Sequence, residues 1–152
     1  MQSPQVFGGA PSGEAGAKPK RDTFRAMLRG ARGRCPSCGT GRLFTRYLKV
    51  ADHCGSCSEA LHHHRADDAP PYFTIFIAGH LLVPLVLGVE QAFTPPLWFH
   101  AALWGPVTIG VCLALLPVVK GAIVGLQWAL YMHGFDPDAE DEAQLAKAEP
   151  LG

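Results

Sequence analysis

The chain has 152 residues with 13 basic and 13 acidic side chains, so its formal net charge at pH 7 is zero. This neutrality conceals an asymmetry, because residues 1–68 hold 11 of the 13 Lys and Arg, whereas residues 69–135 hold only Lys120 and Glu90. The apolar residues are concentrated in that second segment. The composition therefore excludes an ordinary globular domain with one evenly distributed core and predicts a basic head, an apolar middle and an acidic tail.

Residues 1–21 form a leader rich in Gly, Pro and Ala, without the continuous apolar stretch of a secretory signal peptide. We predict that this leader is disordered. Without export, the cysteines of the chain would stay in a reducing compartment. There, C-x2-C pairs bind metal or carry out redox chemistry more often than they form structural disulfides.

A basic amphipathic helix is predicted over residues 22–33, with Asp22 as its N-cap and Gly30 as its end. Its two faces differ, an apolar one with Phe24, Met27 and Leu28 and a basic one with Arg25 and Arg29. Such a helix beside a membrane is typical of an anchor that lies on anionic lipid. A solvated linker and a nucleic-acid contact are alternatives, but the aromatic residues that interleave with bases in nucleic-acid-binding segments are missing here.

Two cysteine pairs in residues 34–60 are separated by 15 residues in a C-x2-C-x15-C-x2-C pattern. This spacing is typical of a zinc ribbon, in which each pair binds one edge of a tetrahedron. Four thiolates leave no open position, so the ion would be structural and would not activate water. We predict one zinc ion per chain, bound by Cys35, Cys38, Cys54 and Cys57.

The chain between the cysteine pairs predicts one or two short strands and a small core. The residues that favour it are Leu43, Phe44, Tyr47, Leu48 and Val50. A positive φ at Gly39 would let backbone amides turn toward the sulfurs. An alternative interpretation treats the two C-x-x-C pairs as thiol-disulfide or metal-transfer groups, because that motif can lower a thiol pKa.

A histidine run follows the ribbon in a predicted linker, residues 61–70, and consists of His62, His63 and His64, with His53 nearby. Adjacent side chains of a regular helix or strand point in different directions, so they do not converge on one ion. We favour a polar linker over a second metal site. Asp67 and Asp68 end this linker, and they suit the positive N-terminus of a following helix.

The apolar half predicts a transmembrane hairpin. Residues 71–89 carry no charged side chain over 19 positions, which spans about 28 Å as a helix and matches a hydrocarbon core of about 30 Å. A loop over residues 90–96 precedes a second uncharged span, residues 97–119. Residues 120–133 are too short to cross again and predict an interfacial helix, with Trp128 and Tyr131 at headgroup depth, before the acidic tail, residues 134–152.

The distribution of bases predicts the orientation. The loop over residues 90–96 has no Lys or Arg, whereas the basic head precedes the first span and Lys120 follows the second. Both termini should therefore be cytoplasmic, with the ribbon in the cytosol.

A histidine within the first span, His80, requires an explanation because an ionisable group is costly in the membrane. We expect a neutral imidazole bonded to Thr108 or to a carbonyl freed by a proline, with ligation, proton handling and partner contact as alternatives. Gly121 and Gly125 form a small-xxx-small pair that allows close helix packing.

Three segments of the chain together resemble the DUF983 family of bacterial membrane proteins. They read RGRCPSCGTGRLFTRYLKVADHCGSC, HRADDAPPYFTIFIAGHLLVPLVLGVE and PVVKGAIVGLQWALYMHGFD. The resemblance implies a proteobacterial source and the inner membrane as location, and members of the family are encoded beside assembly factors of haem-copper oxidase.

These features predict a small cytosolic zinc ribbon followed by an α-helical transmembrane hairpin and an interfacial helix. We expect a scaffold that binds a partner protein, in the context of a respiratory complex if the resemblance holds, with Asp67, Asp68 and His80 as candidate partner or structural residues. No nucleophile–base pair or phosphate loop stands out, so we expect neither catalysis nor nucleic-acid binding.

Overall fold

The computed structural model describes residues 18–65 and 68–136. The elements follow in the order α1 (Thr23–Ala31), β1 (Phe44–Arg46), β2 (Lys49–Val50), α2 (Ala69–Phe93) and α3 (Leu97–Ala129), with a final 3₁₀ turn at His133–Phe135. The predictions for most of the leader, for Asp67 and for most of the acidic tail lie outside the described residues.

Helix α1 begins as the sequence indicates, because the Asp22 carboxylate accepts a hydrogen bond from the Arg25 amide at 3.0 Å. It does not end at Gly30. The helix continues to Ala31, and the positive φ of 68° that closes its end belongs to Gly33. Gly30 is instead buried inside the helix, so its lack of a side chain serves packing and not termination.

Helices α2 and α3 are both long and apolar enough to cross a membrane, with mean hydropathies of 2.0 and 2.2 over their most apolar windows. Only 17% of each window is buried, whereas a core helix of a soluble protein would be mostly covered. Residues 94–96 connect the helices, and Thr94 adopts a left-handed φ of 41° at the turn. Such a short connection makes the packed pair an antiparallel hairpin.

The predicted interfacial helix is the continuation of the second span. Helix α3 runs without a break from Leu97 to Ala129, so one helix contains the second span and most of residues 120–133. The part beyond Lys120 is covered by protein, and Gly121, Val124 and Gly125 are buried there. This segment finds its apolar partner in α1 and the ribbon.

Helix α1 packs on α3 through a seam of small residues. A methyl group at Gly30 would overlap the Gly121 carbonyl, and one at Gly125 would overlap the Ala26 carbonyl. Ala26 and Gly30 of α1 therefore complete the small-xxx-small pair of α3, and the two backbones come into contact. The predicted apolar face of α1 does not form this contact, and its Phe24 side chain is 75% exposed.

The ribbon contains one short antiparallel sheet, in which Phe44 pairs with Val50 and Arg46 pairs with Lys49. The strands are therefore as short as the sequence predicts. The ribbon core also contains residues from outside the predicted ribbon, residues 34–60. Its buried members are Cys35, Leu43, Val50, Cys54, Leu61, Val124 and Phe135. Because Val124 belongs to α3 and Leu61 to the predicted linker, the ribbon shares its core with the end of the hairpin.

Candidate metal centre

Four cysteines meet at one point of the ribbon, and they are the four that the spacing singles out. The sulfur atoms of Cys35, Cys38, Cys54 and Cys57 all lie within 4.8 Å of one another. Across the two pairs, Cys35 and Cys57 are 3.8 Å apart and Cys38 and Cys54 are 3.7 Å apart. These distances are too long for disulfides, in which the sulfurs are about 2.05 Å apart. The group could therefore hold a metal ion.

The sulfur spacing can be compared with the requirement of a particular ion. Four thiolates at about 2.3 Å from a tetrahedral zinc ion lie about 3.8 Å from one another. The two separations across the pairs, 3.8 and 3.7 Å, agree with that edge length. The donor set and its size thus fit a closed tetrahedral site, to which the protein contributes all four ligands.

Both cysteine pairs are held by the same backbone arrangement. The amide of Gly39 donates to the Cys35 carbonyl, and the amide of Ser58 donates to the Cys54 carbonyl, each at 2.9 Å. Gly39 has the positive φ that the sequence indicates, 74°, and Ser58 matches it at 59°. Each turn thus folds back on its first cysteine, which brings both thiols of a pair to the same side.

A glycine makes the close approach of the two knuckles possible. The knuckles are the turns that carry the two cysteine pairs, and a methyl group at Gly41 would overlap the Cys54 sulfur. The amide of Cys35 also donates to the Gly41 carbonyl at 2.9 Å. Gly41 is a site residue that the ligand spacing does not reveal, because its role depends on a contact across the fold.

The thiols are surrounded by different environments. Hydrogen bonds from the Gly41 amide, and then from the hydroxyl and amide of Thr40, lower the pKa of Cys38 to about 5. Burial raises the pKa of Cys35, and partial desolvation raises that of Cys57. These surroundings favour the thiolate at Cys38 and disfavour it at Cys35 and Cys57, so binding of a cation by all four sulfurs would release protons.

Arg29, a residue of α1, stabilises the first knuckle. Its guanidinium donates to the carbonyls of Pro36 and Ser37 at 3.0 and 2.7 Å. The sequence places Arg29 on a solvent- or lipid-facing side of the basic helix, and the structure corrects that expectation. The reason is that α1 lies beside the ribbon, where two carbonyls of a tight turn need donors.

Four further hydrogen bonds fix the ribbon and the segment that follows it to α3. The Tyr47 hydroxyl donates to the Leu113 carbonyl at 2.6 Å, and the Trp128 indole donates to Glu59 at 2.8 Å. The Gln127 amide both accepts from the Arg65 amide at 3.1 Å and donates to its carbonyl at 2.9 Å. Trp128 thus lies against Glu59, and Arg21 lies over its ring at 4.1 Å.

The histidine run does not form a second site. His62 and His63 stack with ring centroids 3.9 Å apart, and the Nδ1 atom of His64 lies 2.9 Å from the Leu61 carbonyl. His63 also fills the space beside Gly134. Within the part of the chain that the structure describes, the cysteine cluster is the one group of at least three potential ligands.

His80 and Asp68 behave differently from their predicted roles. The Nδ1 atom of His80 lies 2.9 Å from the Phe76 carbonyl of its own helix turn, and the ring contacts the Phe76 ring. The bond expected to Thr108 or to a proline-freed carbonyl is therefore wrong, because the imidazole points along the outer face of α2. Asp68 occupies the N-cap position of α2 but makes no side-chain cap bond.

A polar group at the opposite end of the hairpin was not predicted. The Nε2 atom of His100 lies 2.8 Å from a Glu90 carboxylate oxygen, and the Trp104 indole donates to its Nδ1 atom at 3.2 Å. The interaction joins the end of α2 to the start of α3. An antiparallel hairpin places these two residues at one depth, which allows the contact.

A family model described as "Protein of unknown function (DUF983)" matches residues 44–128, which is more than half of the chain. The match includes β1, β2, the second cysteine pair and both candidate spans, and it leaves the first cysteine pair outside. No curated protein and no solved structure matches the chain significantly.

Proposed function

The chain belongs to the DUF983 family, and from its cysteine cluster we propose that it is a membrane-anchored structural zinc protein whose ribbon presents a rigid surface to a partner protein. The single observation that carries this proposal is the group of four sulfurs within 4.8 Å. Soft thiolates select zinc over hard cations, and a set of four leaves no position for substrate or water. The ion would supply folding free energy, and we expect no catalysis.

The way in which the ribbon is mounted supports a scaffold role. Its core continues into α3 through Val124, and Gln127 holds both backbone groups of Arg65. Helix α1 adds the backbone contact between Gly30 and Gly121. A ribbon on a flexible tether would not fix the direction in which a partner approaches, whereas a ribbon held in this way does.

We assign the ribbon to the cytosolic side of the membrane. The ribbon, the start of α2 and the end of α3 lie at one end of the hairpin, as the contacts of Gln127 and Trp128 require. That end carries nearly all the bases, and the loop at the other end has none. A reducing cytosol also keeps the four thiols available for metal.

The first test is the zinc content of the purified full-length protein. We expect about one zinc per chain, and the Cys38→Ser variant should lose most of it, because a set of three thiolates binds the ion more weakly. Cys112→Ser is the matched control, since Cys112 lies in α3 outside the cluster, and it should keep the zinc. Retention of zinc by Cys38→Ser at the wild-type level would contradict the assignment.

A second function, transfer of metal or exchange of disulfides, is favoured by one observation. Cys57 is exposed, and Cys38 has a pKa lowered to about 5 by the Gly41 amide, which are properties of reactive thiols. Alkylation of the zinc-loaded protein separates the two functions. A structural site should protect all four cysteines, whereas a transfer site should be alkylated and should release its ion to a chelator.

The partner remains a proposal that is tested separately. Crosslinking in intact cells from position 24, where Phe24 is exposed, should recover a defined partner protein. The Gln127→Leu variant should lower the yield of this crosslinked product, because it loosens the attachment of the ribbon to α3, and it should retain its zinc. The link to haem-copper oxidase comes from the family resemblance. It predicts lowered oxidase activity in a deletion strain, and normal oxidase spectra would remove that link without affecting the zinc assignment.

A further inference from the structure

Three arginines surround an open cleft on the ribbon. The cleft has a volume of about 360 Å³ and is lined by Arg32, Arg34, Arg42, Thr40, Gly41 and Phe44. All three arginines are exposed, and none of them contributes to the metal centre. The cleft therefore brings three positive charges to one concave surface.

Two of these arginines are direct cross-strand partners. Arg34 and Arg42 form an isolated antiparallel bridge, so their side chains leave the backbone on the same face. The Cβ atoms of such partners are about 5 Å apart, and like charges in this position destabilise the pair. An acidic residue at either position would have been favourable, so the arrangement opposes folding unless an anion lies between the side chains.

No carboxylate within residues 18–65 and 68–136 neutralises this cluster. Arg34 makes only a long contact of 3.5 Å to the Gly39 carbonyl, and the side chains of Arg32 and Arg42 have no polar contact there. Two other arginines of the head have partners, since Arg29 donates to two carbonyls and Arg21 lies on two aromatic rings. The three guanidinium groups of the cleft thus have hydrogen-bond donors available for a bound anion.

We propose that this cleft binds the phosphate group of a phosphate ester. Guanidinium groups bind phosphate through pairs of parallel hydrogen bonds, and several arginines around one cavity provide enough donors for its oxygens. A phosphate between Arg34 and Arg42 would also turn their repulsion into attraction. The ester belongs either to an anionic lipid of the membrane that holds the hairpin or to a soluble phosphorylated molecule.

The four-thiolate site offers a competing explanation for the arginines. With a divalent ion, four thiolates carry a net charge of minus two, which attracts neighbouring bases. In that case, removal of the arginines would weaken metal retention and would leave anion binding unchanged. The experiment therefore measures zinc retention and anion affinity on the same samples.

The test uses full-length, zinc-loaded protein in a neutral detergent. The probes are short-chain phosphatidylglycerol, phosphatidylcholine of the same chain length, and inorganic pyrophosphate, and affinity is measured by titration with native mass spectrometry. The Arg34→Gln and Arg42→Gln variants should each bind the anionic probe about tenfold more weakly, because each loses a charge-assisted pair of hydrogen bonds. The control is Arg46→Gln, which changes an exposed basic residue of the ribbon outside the cleft, and it should bind within about twofold of the wild type.

A second readout would not respond to a merely structural arginine. Without any probe, Arg34→Gln should melt at a higher temperature than the wild type, because the repulsion from Arg42 is gone. With the anionic probe present, the order should reverse, because only the wild type is stabilised by binding.

The outcomes separate the sources of phosphate. Binding of phosphatidylglycerol alone assigns a lipid headgroup, and binding of pyrophosphate as well assigns a soluble ester. Equal affinities of the wild type and both cleft variants for every probe would overturn the proposal. Loss of zinc from the cleft variants with unchanged anion binding would also overturn it and would assign the arginines to the metal centre.

Discussion

The hydroxyl of Tyr47 donates a hydrogen bond of 2.6 Å to the carbonyl of Leu113, a helical carbonyl that has lost its usual donor. In α3 that donor would be the amide of residue 117, which is Pro117 and has none. A residue at the tip of the ribbon sheet thus satisfies a backbone group of a candidate membrane span. The contact connects the position of the ribbon to a proline inside the helix.

This relationship predicts a result for Tyr47→Phe. The variant leaves the Leu113 carbonyl without a partner and should lose about 1 kcal/mol of stability. Thermal unfolding in detergent measures the change. Tyr72→Phe is the matched control, because Tyr72 is 74% exposed and makes no hydrogen bond within the described part of the chain.

The proline provides the decisive comparison for that contact. In a Pro117→Ala background, the new amide can donate to the Leu113 carbonyl within the helix, so Tyr47→Phe should cost much less than it does in the wild type. An equal cost in both backgrounds would show that the Tyr47 hydroxyl does not serve the carbonyl freed by Pro117.

Two glycines of the ribbon should respond in opposite ways to a methyl group. Gly41→Ala places a carbon against the Cys54 sulfur, whereas the space beside Gly55 is open. We expect Gly41→Ala to lower zinc retention strongly against a chelator and Gly55→Ala to retain the ion like the wild type. Equal retention would mean that the two knuckles are further apart than the structure places them.

The contact between α1 and α3 predicts a similar contrast in the helix. Gly121→Ala would overlap the Gly30 carbonyl, but nothing lies near a methyl group at Gly110. Overpacking of this kind costs about 1–3 kcal/mol or more. Thermal unfolding should therefore show a lowered midpoint for Gly121→Ala and an unchanged or slightly raised one for Gly110→Ala. A neutral Gly121→Ala would contradict the backbone contact.

The proposed orientation predicts the behaviour of topology reporters. A reporter that works only in the cytosol should be active after Gly152, and one that works only outside the cytosol should be active near Thr94. Cytosolic activity at Thr94 would mean that one of α2 and α3 does not cross the membrane, and the side assigned to the ribbon would then be wrong.

Much of this arrangement is predictable from the sequence, because the deciding signals are local. The ligand spacing identifies all four cysteines, and the uncharged runs identify both long helices. The positive φ of Gly39 and the cap at Asp22 also depend on nearby residues only. Where the interactions that determine a feature lie within one segment, the sequence pattern of that segment is sufficient to predict the feature.

The remaining features depend on which segments meet. The apolar run after Lys120 is too short to cross a membrane, and its sequence does not show that α1 and the ribbon cover it. Gln127 holds the backbone of Arg65, a contact between residues far apart in the chain. The roles of Gly41 and Arg29 also require contacts across the fold. No periodicity within one segment reports such contacts.

The central claim, that the four cysteines form a closed structural zinc site in a membrane protein, is tested most directly by zinc X-ray absorption on the full-length protein purified from membranes. We expect the zinc ion to have one coordination shell of four sulfur atoms at about 2.3 Å, without nitrogen or oxygen neighbours. A mixed shell with oxygen or nitrogen, or a membrane-purified protein that contains disulfides in place of zinc, would contradict it.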